Sequence, residues 1–371
     1  MITIIGAGPA GLAMAAELTR RNLPHRIIER GRVGEAWHHH YDRLRLHTLK
    51  HVSGLPGLPM PSHYPDFPSR AQFLAYLQQY ARHFDLHIEE GVELRRADID
   101  GDRWRLDTSR GEADASVLVM ATGIWSAPVR PRLPGEERFA GTILHSRDYR
   151  NAHPFRGQQV LVVGAGNSGA EIAVDLAGHG VETAIVVRSG VAFVPRPRSA
   201  TGMHLAAWLL RTLPPWMAGR LLRRRNFQHL GLPLPPGSPL FHYPVVGYEL
   251  PQAVAQQRVA VYPGVTQLEA GIVVFRDGRR AAFDTIILAT GYRPALDPVA
   301  HLITRDARGR PVVDRYWRAR RNPALVCIGY TYPTTEGWLQ ALGRVVRAAT
   351  HGVAKQVGHT LRDYRTADGL H

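Results

Sequence analysis

The chain has 371 residues, too many for one ordinary core and enough for two domains. Hydrophobic residues at 44% and charged residues at 21% match a water-soluble globular protein, and no run approaches the ~18 uncharged apolar residues of a membrane span. Cys327 is the only cysteine, which excludes an intramolecular disulfide framework, a Cys-rich zinc site and a CxxC redox pair; the net charge of +15 is almost all arginine and accompanies no nucleic-acid-binding pattern.

A diffuse positive field suits an anionic cofactor or substrate. The start, MITIIGAGPAGL, has no charged region followed by an apolar stretch and a cleavage site. No secretory signal is therefore expected, and the expected location is the reducing cytoplasm.

MITIIGAGPAGLAMAAEL reads as an apolar strand, a glycine turn and a helix with apolar residues at helical spacing. Gly6 permits the tight turn, Gly8 lets backbone approach a pyrophosphate, and Gly11 lets helix and strand pack closely. Pro9 and Ala10 open the helix, whose N-terminus favours anions. The next strand, HRIIERG, ends in Glu29 and Arg30. Glu29 stands about twenty residues beyond Gly6, where a carboxylate takes the adenosine ribose. GEAWHHHYDRLRLHTLK follows, with Gly34 and Trp37. Its consecutive His38, His39 and His40 diverge and lack a carboxylate-bearing ligand pattern, so no metal site is expected. The short strand-rich stretch RWRLDTS and the buried-type run ASVLVMATG come next, the latter ending in Ala121, Thr122 and Gly123.

FAGTILHSRDY then fits Phe-x-Gly-x-x-x-His-x-x-x-Tyr through Phe139, Gly141, His145 and Tyr149. Just beyond it, QQVLVVGAGNSGAEIAVDLAGHG repeats the strand–turn–helix plan with Gly164, Gly166 and Gly169. The following strand, TAIVVRS, ends in Arg188 and Ser189. A carboxylate there would suit a free ribose 2′-hydroxyl, and an arginine suits a 2′-phosphate, which favours NADPH over NADH. Residues 195–250 are rich in proline. Within them MHLAAWLLRTLPPWMAGRLLRRRNF reads as two short amphipathic helices broken at Pro214 and Pro215, as a lid, a packing face or a membrane-surface helix. GIVVFRDGRRAAF and DTIILATGY, with Gly291, echo the earlier strand-rich stretch and its Ala-Thr-Gly end.

The expected fold is α/β, with two Rossmann-like dinucleotide-binding domains. An NADPH-binding domain over 153–294 is inserted into a discontinuous FAD-binding domain over 1–152 and 295–371. Two nucleotide units imply two nucleotide cofactors. FAD in the first and NADPH in the second is the simplest pair, the flavin accepting hydride from NADPH.

The pattern from Phe139 to Tyr149 resembles the fingerprint of the flavin-containing monooxygenases, the class B single-component flavoproteins, and the resemblance covers nearly the whole chain. GEAW is similar to a Gly-Gly-x-Trp segment of that family, with Glu35 in place of the second glycine. ATGYRP and CIGYTYPTTEGWLQALGR match the family's return to the FAD domain. YDRLRLHTLKH, GNSGAEIAVDL and VVRSGVAFVPR most resemble the plant YUCCA-type enzymes and their bacterial relatives.

The resemblance implies that Trp37 packs by the flavin ring, that the Val92 backbone contacts adenine, and that Ala121, Thr122 and Gly123 lie near FAD. It puts Gly329, Leu339 and Gln340 at the flavin ring and ribityl end, and Asn167, Ser168, Gly169 and Arg188 on NADP. It also puts His47 at the reactive centre, where animal-type members carry asparagine. Tyr149 matches the monooxygenase form of the fingerprint, where Baeyer–Villiger enzymes carry tryptophan. The activity implied is an NADPH-dependent monooxygenase forming a C4a-hydroperoxyflavin. It would oxygenate a small substrate at nitrogen or sulfur, or oxidatively decarboxylate an aryl 2-oxo acid. A flavin reductase and Baeyer–Villiger oxygenation of a ketone are the alternatives. The partners expected are a small molecule and O₂, without nucleic acid or membrane, and a homodimer is left open.

Overall fold

The structure, a computed structural model, describes residues 1–199, 201–202, 205, 208–209, 212–214, 216–217, 226–236, 243–330 and 337–367, with side chains of the last helix as far as 356. Most of the expected amphipathic pair at 203–227, and the 331–336 part of the closing motif, lie outside the described residues.

Two sheets carry the two glycine loops. In the first, the spatial order is Arg318–Ala319, Asn322–Cys327, Val117–Met120, Ile2–Ile5, His25–Glu29, Ile88–Glu90. All pairs are parallel except the first. Ile2–Ile5 is paired on both sides and buried along its length, which is why it reads as a continuous apolar run. Helix Pro9–Thr19 starts with proline, whose missing N–H costs nothing at that position. Its other face packs against the closing helix Trp338–Ala367, with Thr350 donating to Met14 Sδ at 3.3 Å.

Helix Arg70–His83 packs against helix Pro9–Thr19 and the short helix Glu35–His38. A capping box starts it: Ser69 Oγ accepts from Gln72 N at 3.2 Å and Gln72 Oε1 from Ser69 N at 2.9 Å. Its buried face presents Phe73, Leu74, Tyr76, Leu77 and Tyr80. Tyr76 donates to the Leu58 carbonyl and accepts from Leu55 N–H, both at 2.6 Å, so a buried phenol is satisfied while it fixes the loop before the helix.

The second sheet is all parallel, in the order Val259–Tyr262, Glu182–Val186, Gln159–Val163, Thr285–Leu288, Thr142–His145. Two antiparallel meanders, Leu94–Ala115 and Val265–Ala282, account for the strand-rich stretches that precede the two Ala-Thr-Gly ends. Thr142–His145 pairs with Thr285–Leu288 and completes the second sheet, and the chain crosses between the sheets at the paired strands Ala127–Pro128 and Tyr292–Arg293. The strand is short and half-apolar, so its sequence does not announce which sheet it joins. Among the described residues no helix is long and apolar enough to cross a membrane.

Candidate functional site

Both glycine loops are built the same way. Gly6 and Gly164 have φ of +108° and +112°, a conformation that L side chains rarely adopt. A Cβ on Gly11 would lie 1.9 Å from the Gly6 carbonyl oxygen, and one on Gly169 would lie 1.9 Å from that of Gly164. These four glycines close the turns and let helix and strand pack. The middle glycines differ: a Cβ on Gly8 or Gly166 would meet nothing within 4 Å. Each stands at a helix N-terminus with no side-chain cap, so free N–H groups face open space. That is the cradle a pyrophosphate requires, and FAD and NADPH fit the residues present.

The first loop opens on a cavity of about 420 Å³. Gly6, Gly8, Pro9, Ala10, Glu29, Arg30, Gly34, Trp37, Val92, Ala121, Thr122 and Gly123 all line it. Glu29 Oε2 accepts from Ala7 N at 2.7 Å and Oε1 from Gly31 N at 2.9 Å. Burial pushes its carboxyl up, and these two bonds oppose the shift. Two bonds use half of a carboxylate's acceptor capacity, leaving lone pairs for ribose hydroxyls. Glu35, the departure from Gly-Gly-x-Trp, accepts from Arg32 N at 3.1 Å and pairs with His39 at 2.7 Å, and these contacts hold its carboxyl down against burial. It lies against Gly31, where a Cβ would come within 2.4 Å of its Cγ.

The second cavity, about 440 Å³, borders the second loop and is lined by Trp37, His47, Gly166, Asn167, Ser168, Gly291 and Leu339 among the expected residues. Trp37, Trp125, Trp338, Tyr292 and Ile124 wall both cavities. His47 Nε2 lies 2.6 Å from Glu171 Oε1, with side chains 22% and 13% exposed. Tyr41 is buried close by, and burial, reinforced by the neighbouring Glu171 carboxylate, pushes its phenol far up. Glu171 sits in the first turns of helix Asn167–Gly178, so a residue of the second unit holds a histidine of the first. Sequence reasoning missed Glu171, although the Ala-Glu of NSGAE was in view.

The neighbouring histidines have other tasks. His40 is buried beside Trp37, ring centroids 5.5 Å apart, and desolvation holds it down at about 4. Arg150 donates to the His38 and His40 carbonyls at 2.6 and 3.0 Å, tying this loop to the segment before the second sheet.

The Phe-Gly-His-Tyr pattern proves to be a set of structural joints. A Cβ on Gly141 would lie 2.3 Å from the Asp284 carbonyl oxygen. His145 Nδ1 accepts from Arg147 N at 3.1 Å, so Nε2–H donates to the Gly291 carbonyl at 3.2 Å, and burial holds the ring neutral by lowering its basicity. Tyr149 donates to Asp175 Oδ2 at 2.7 Å, both buried, and Phe139 packs in the core of the second sheet.

Several expected residues lie elsewhere. The Asn167 amide donates to the Pro244 carbonyl and accepts from Val246 N, each at 3.0 Å, so it clamps a strand while it lines the second cavity. Gly329 packs on the first helix, where its Cβ would come within 2.8 Å of Ala10 Cβ. Gly329, Gln340, Arg188 and Ser189 line neither cavity, and Arg188 and Ser189 are exposed at the end of strand Glu182–Val186. Cys327 is buried, and its thiol is pushed up to about 12 by desolvation.

A family model described as pyridine nucleotide-disulphide oxidoreductase matches residues 3–214. The chain is 36% identical over 352 residues to the indole-3-pyruvate monooxygenase YUCCA1 of Oryza sativa subsp. japonica, spanning 88% of this chain and 86% of that one. It is 36% identical over 377 residues to indole-3-pyruvate monooxygenase YUCCA8 of Oryza sativa subsp. indica, at 93% and 89%. A solved flavin-containing monooxygenase from Stenotrophomonas maltophilia superposes with a TM-score of 0.72 at 28% identity, over 94% of this chain and 98% of that one. A single buried, unreactive thiol leaves no dithiol for the disulphide chemistry in the family's name. The chain belongs to the pyridine nucleotide-disulphide oxidoreductase family and, within it, to the YUCCA-type flavin monooxygenases, oxidoreductases that use FAD and NADPH.

Proposed function

We propose that the enzyme oxidatively decarboxylates an aryl 2-oxo acid in the second cavity. In that reaction the 2-oxo acid, O₂, NADPH and a proton give the shortened carboxylic acid, CO₂, NADP⁺ and water. The observation that carries the reading is the cavity's make-up: Trp37, Trp125, Trp338 and Tyr292 line it together with Arg45. Arg45 has no carboxylate partner among the described residues and donates only to the Phe67 carbonyl, at 3.3 Å. An aromatic body and an anionic end match that lining. The two rice relatives are named for indole-3-pyruvate, a substrate of this class.

On this reading the unit built on the first sheet holds FAD through the Gly6–Gly11 loop, Glu29, Arg30, Gly34, Trp37, Val92 and Ala121–Gly123. The unit built on the second holds NADPH through the Gly164–Gly169 loop, Arg188 and Ser189, with Gly291, Gly329, Leu339 and Gln340 towards the flavin. When bound, the flavin supplies hydride acceptance from NADPH and activation of O₂. His47 presents its ring to the cavity, with Nε2 held by Glu171. The aromatic wall excludes water from the reacting atoms. The test is NADPH consumption with aryl 2-oxo acids, thioethers, amines and ketones, coupled to product mass. Loss of CO₂ from the oxo acids supports the proposal, and gain of one oxygen on an amine or thioether alone refutes it. Reduction of dyes or quinones without oxygenated product would point to a reductase.

A further inference from the structure

Outside both cavities, the second unit brings two arginine side chains, Arg188 and Arg276, to the same glycine. The turn 262–264 is held from two sides: Val187 N donates to the Tyr262 carbonyl at 2.9 Å and Arg276 N to the Gly264 carbonyl at 2.8 Å. Arg188, just past strand Glu182–Val186, and Arg276, just past strand Ile272–Phe275, therefore converge on one residue. A Cβ on Gly264 would lie 3.5 Å from Arg188 Cγ and 3.4 Å from Arg276 Nη2.

Both side chains are exposed, and neither forms an ion pair or side-chain hydrogen bond with a described residue. The adjacent carboxylate is already taken. Asp277 accepts from Arg279 Nε at 2.7 Å and from Arg279 N at 3.1 Å, while the Arg279 guanidinium lies over the Tyr262 ring, 4.4 Å from its centroid. Two arginines rooted at one turn without a counter-charge can both swing their guanidinium groups onto a phosphate dianion set over Gly264, which turns mutual repulsion into attraction for both.

We infer that Arg276 is a second recognition residue for the 2′-phosphate of NADPH, acting with Arg188 across Gly264. Arg188 occupies the position at which a dinucleotide fold distinguishes a free 2′-hydroxyl from a 2′-phosphate. Arg276 comes from the separate antiparallel meander, which no nucleotide fingerprint includes. At neutral pH the phosphate carries a charge near −2, more than one guanidinium neutralises. The inference rests on the second glycine loop taking NADPH.

The test is calorimetric titration of the flavin-loaded protein with 2′,5′-ADP and with 5′-AMP, for the unaltered chain and for Arg276→Ala. The expected result is about tenfold weaker 2′,5′-ADP binding in the variant, the scale of one lost charge-assisted contact. Binding of 5′-AMP should stay within about twofold, because it lacks the group that Arg276 reads. In parallel, kcat/KM for NADPH should fall while that for NADH holds. Equal weakening of both nucleotides, or no change in either, would overturn the role of Arg276 and leave the NADPH assignment standing. An unaltered chain that binds 2′,5′-ADP no tighter than 5′-AMP would overturn the assignment itself.

Discussion

Glu171→Ala removes the carboxylate that holds His47. The bond is short, 2.6 Å, and the two side chains are 22% and 13% exposed, so it is screened only in part. A hydrogen bond to a charged group is worth about 1.5–3 kcal/mol, and partial exposure argues for the lower end. About 1.5–2 kcal/mol of lost positioning corresponds to a roughly 10- to 30-fold fall in turnover to product. Flavin content and KM for NADPH should hold, because Glu171 lines neither cavity; Glu171→Gln, which keeps an oxygen in reach of Nε2, should lose less. The assay is oxygenated product formed per NADPH consumed, in a cycle of His47→Ala, Glu171→Ala and the double variant. If Glu171 acts through His47, the double variant matches His47→Ala within about twofold. Losses that simply multiply, or a Gln variant as damaged as the Ala variant, would refute the coupling.

Other substitutions separate the two nucleotide units. Gly11→Ala forces a Cβ to 1.9 Å from a carbonyl oxygen and should yield colourless protein, while Gly169→Ala should stay yellow but lose bleaching by NADPH; absorbance at the flavin band checks both. His40 is neutral in the fold down to about pH 4 and ordinarily titrates near 6.5. Its depressed value means that the unfolded chain binds the extra proton, so stability falls as pH drops from 6.5 towards 4, by about 2 kcal/mol between pH 7 and pH 5. Urea midpoints should show a shallower pH dependence in His40→Gln, and identical slopes would refute the assignment. Tyr149→Phe leaves Asp175 without its buried donor and should cost about 1–3 kcal/mol in urea unfolding while the oxygenated product stays the same. Cys327→Ala should retain NADPH-dependent oxygenation, since no step uses the thiol; its loss in a folded, yellow variant would reopen thiol chemistry.

The parts of the fold legible in the sequence are those fixed by local rules. Gly6, Gly8 and Gly11, and their counterparts Gly164, Gly166 and Gly169, carry their own geometry, and the runs ITII and VLVM announce strands buried on both faces. Glu29 and His47 could be placed at their cavities because family position and chain position agree. What stayed hidden depends on partners far away in the chain. Glu171 is a plain helical glutamate until the fold brings His47 to it, 124 residues distant. Asn167 looks like a ligand contact, yet its amide is engaged by Pro244 and Val246. Thr142–His145 is too short to declare its sheet, and only pairing with Thr285–Leu288 assigns it. The histidine of FAGTILHSRDY stands just before the second glycine loop in the sequence, but its partner, the Gly291 carbonyl beside the crossing, is 146 residues away.

Three of the seven tryptophans stand in the wall common to both cavities. Trp125 meets Trp37 and Trp338 edge-on, with ring centroids 5.9 and 5.4 Å apart, and Trp37 is wedged on Phe73 at 4.4 Å. Indoles locked at such angles absorb as a coupled chiral group, which gives the native chain a near-ultraviolet circular dichroism that a loosened interior would lose. The same trio therefore serves as an optical gauge for the partition. A ligand that leans on the wall from one side rotates rings that the other side also feels, so filling either cavity should change the signal from which the other is read.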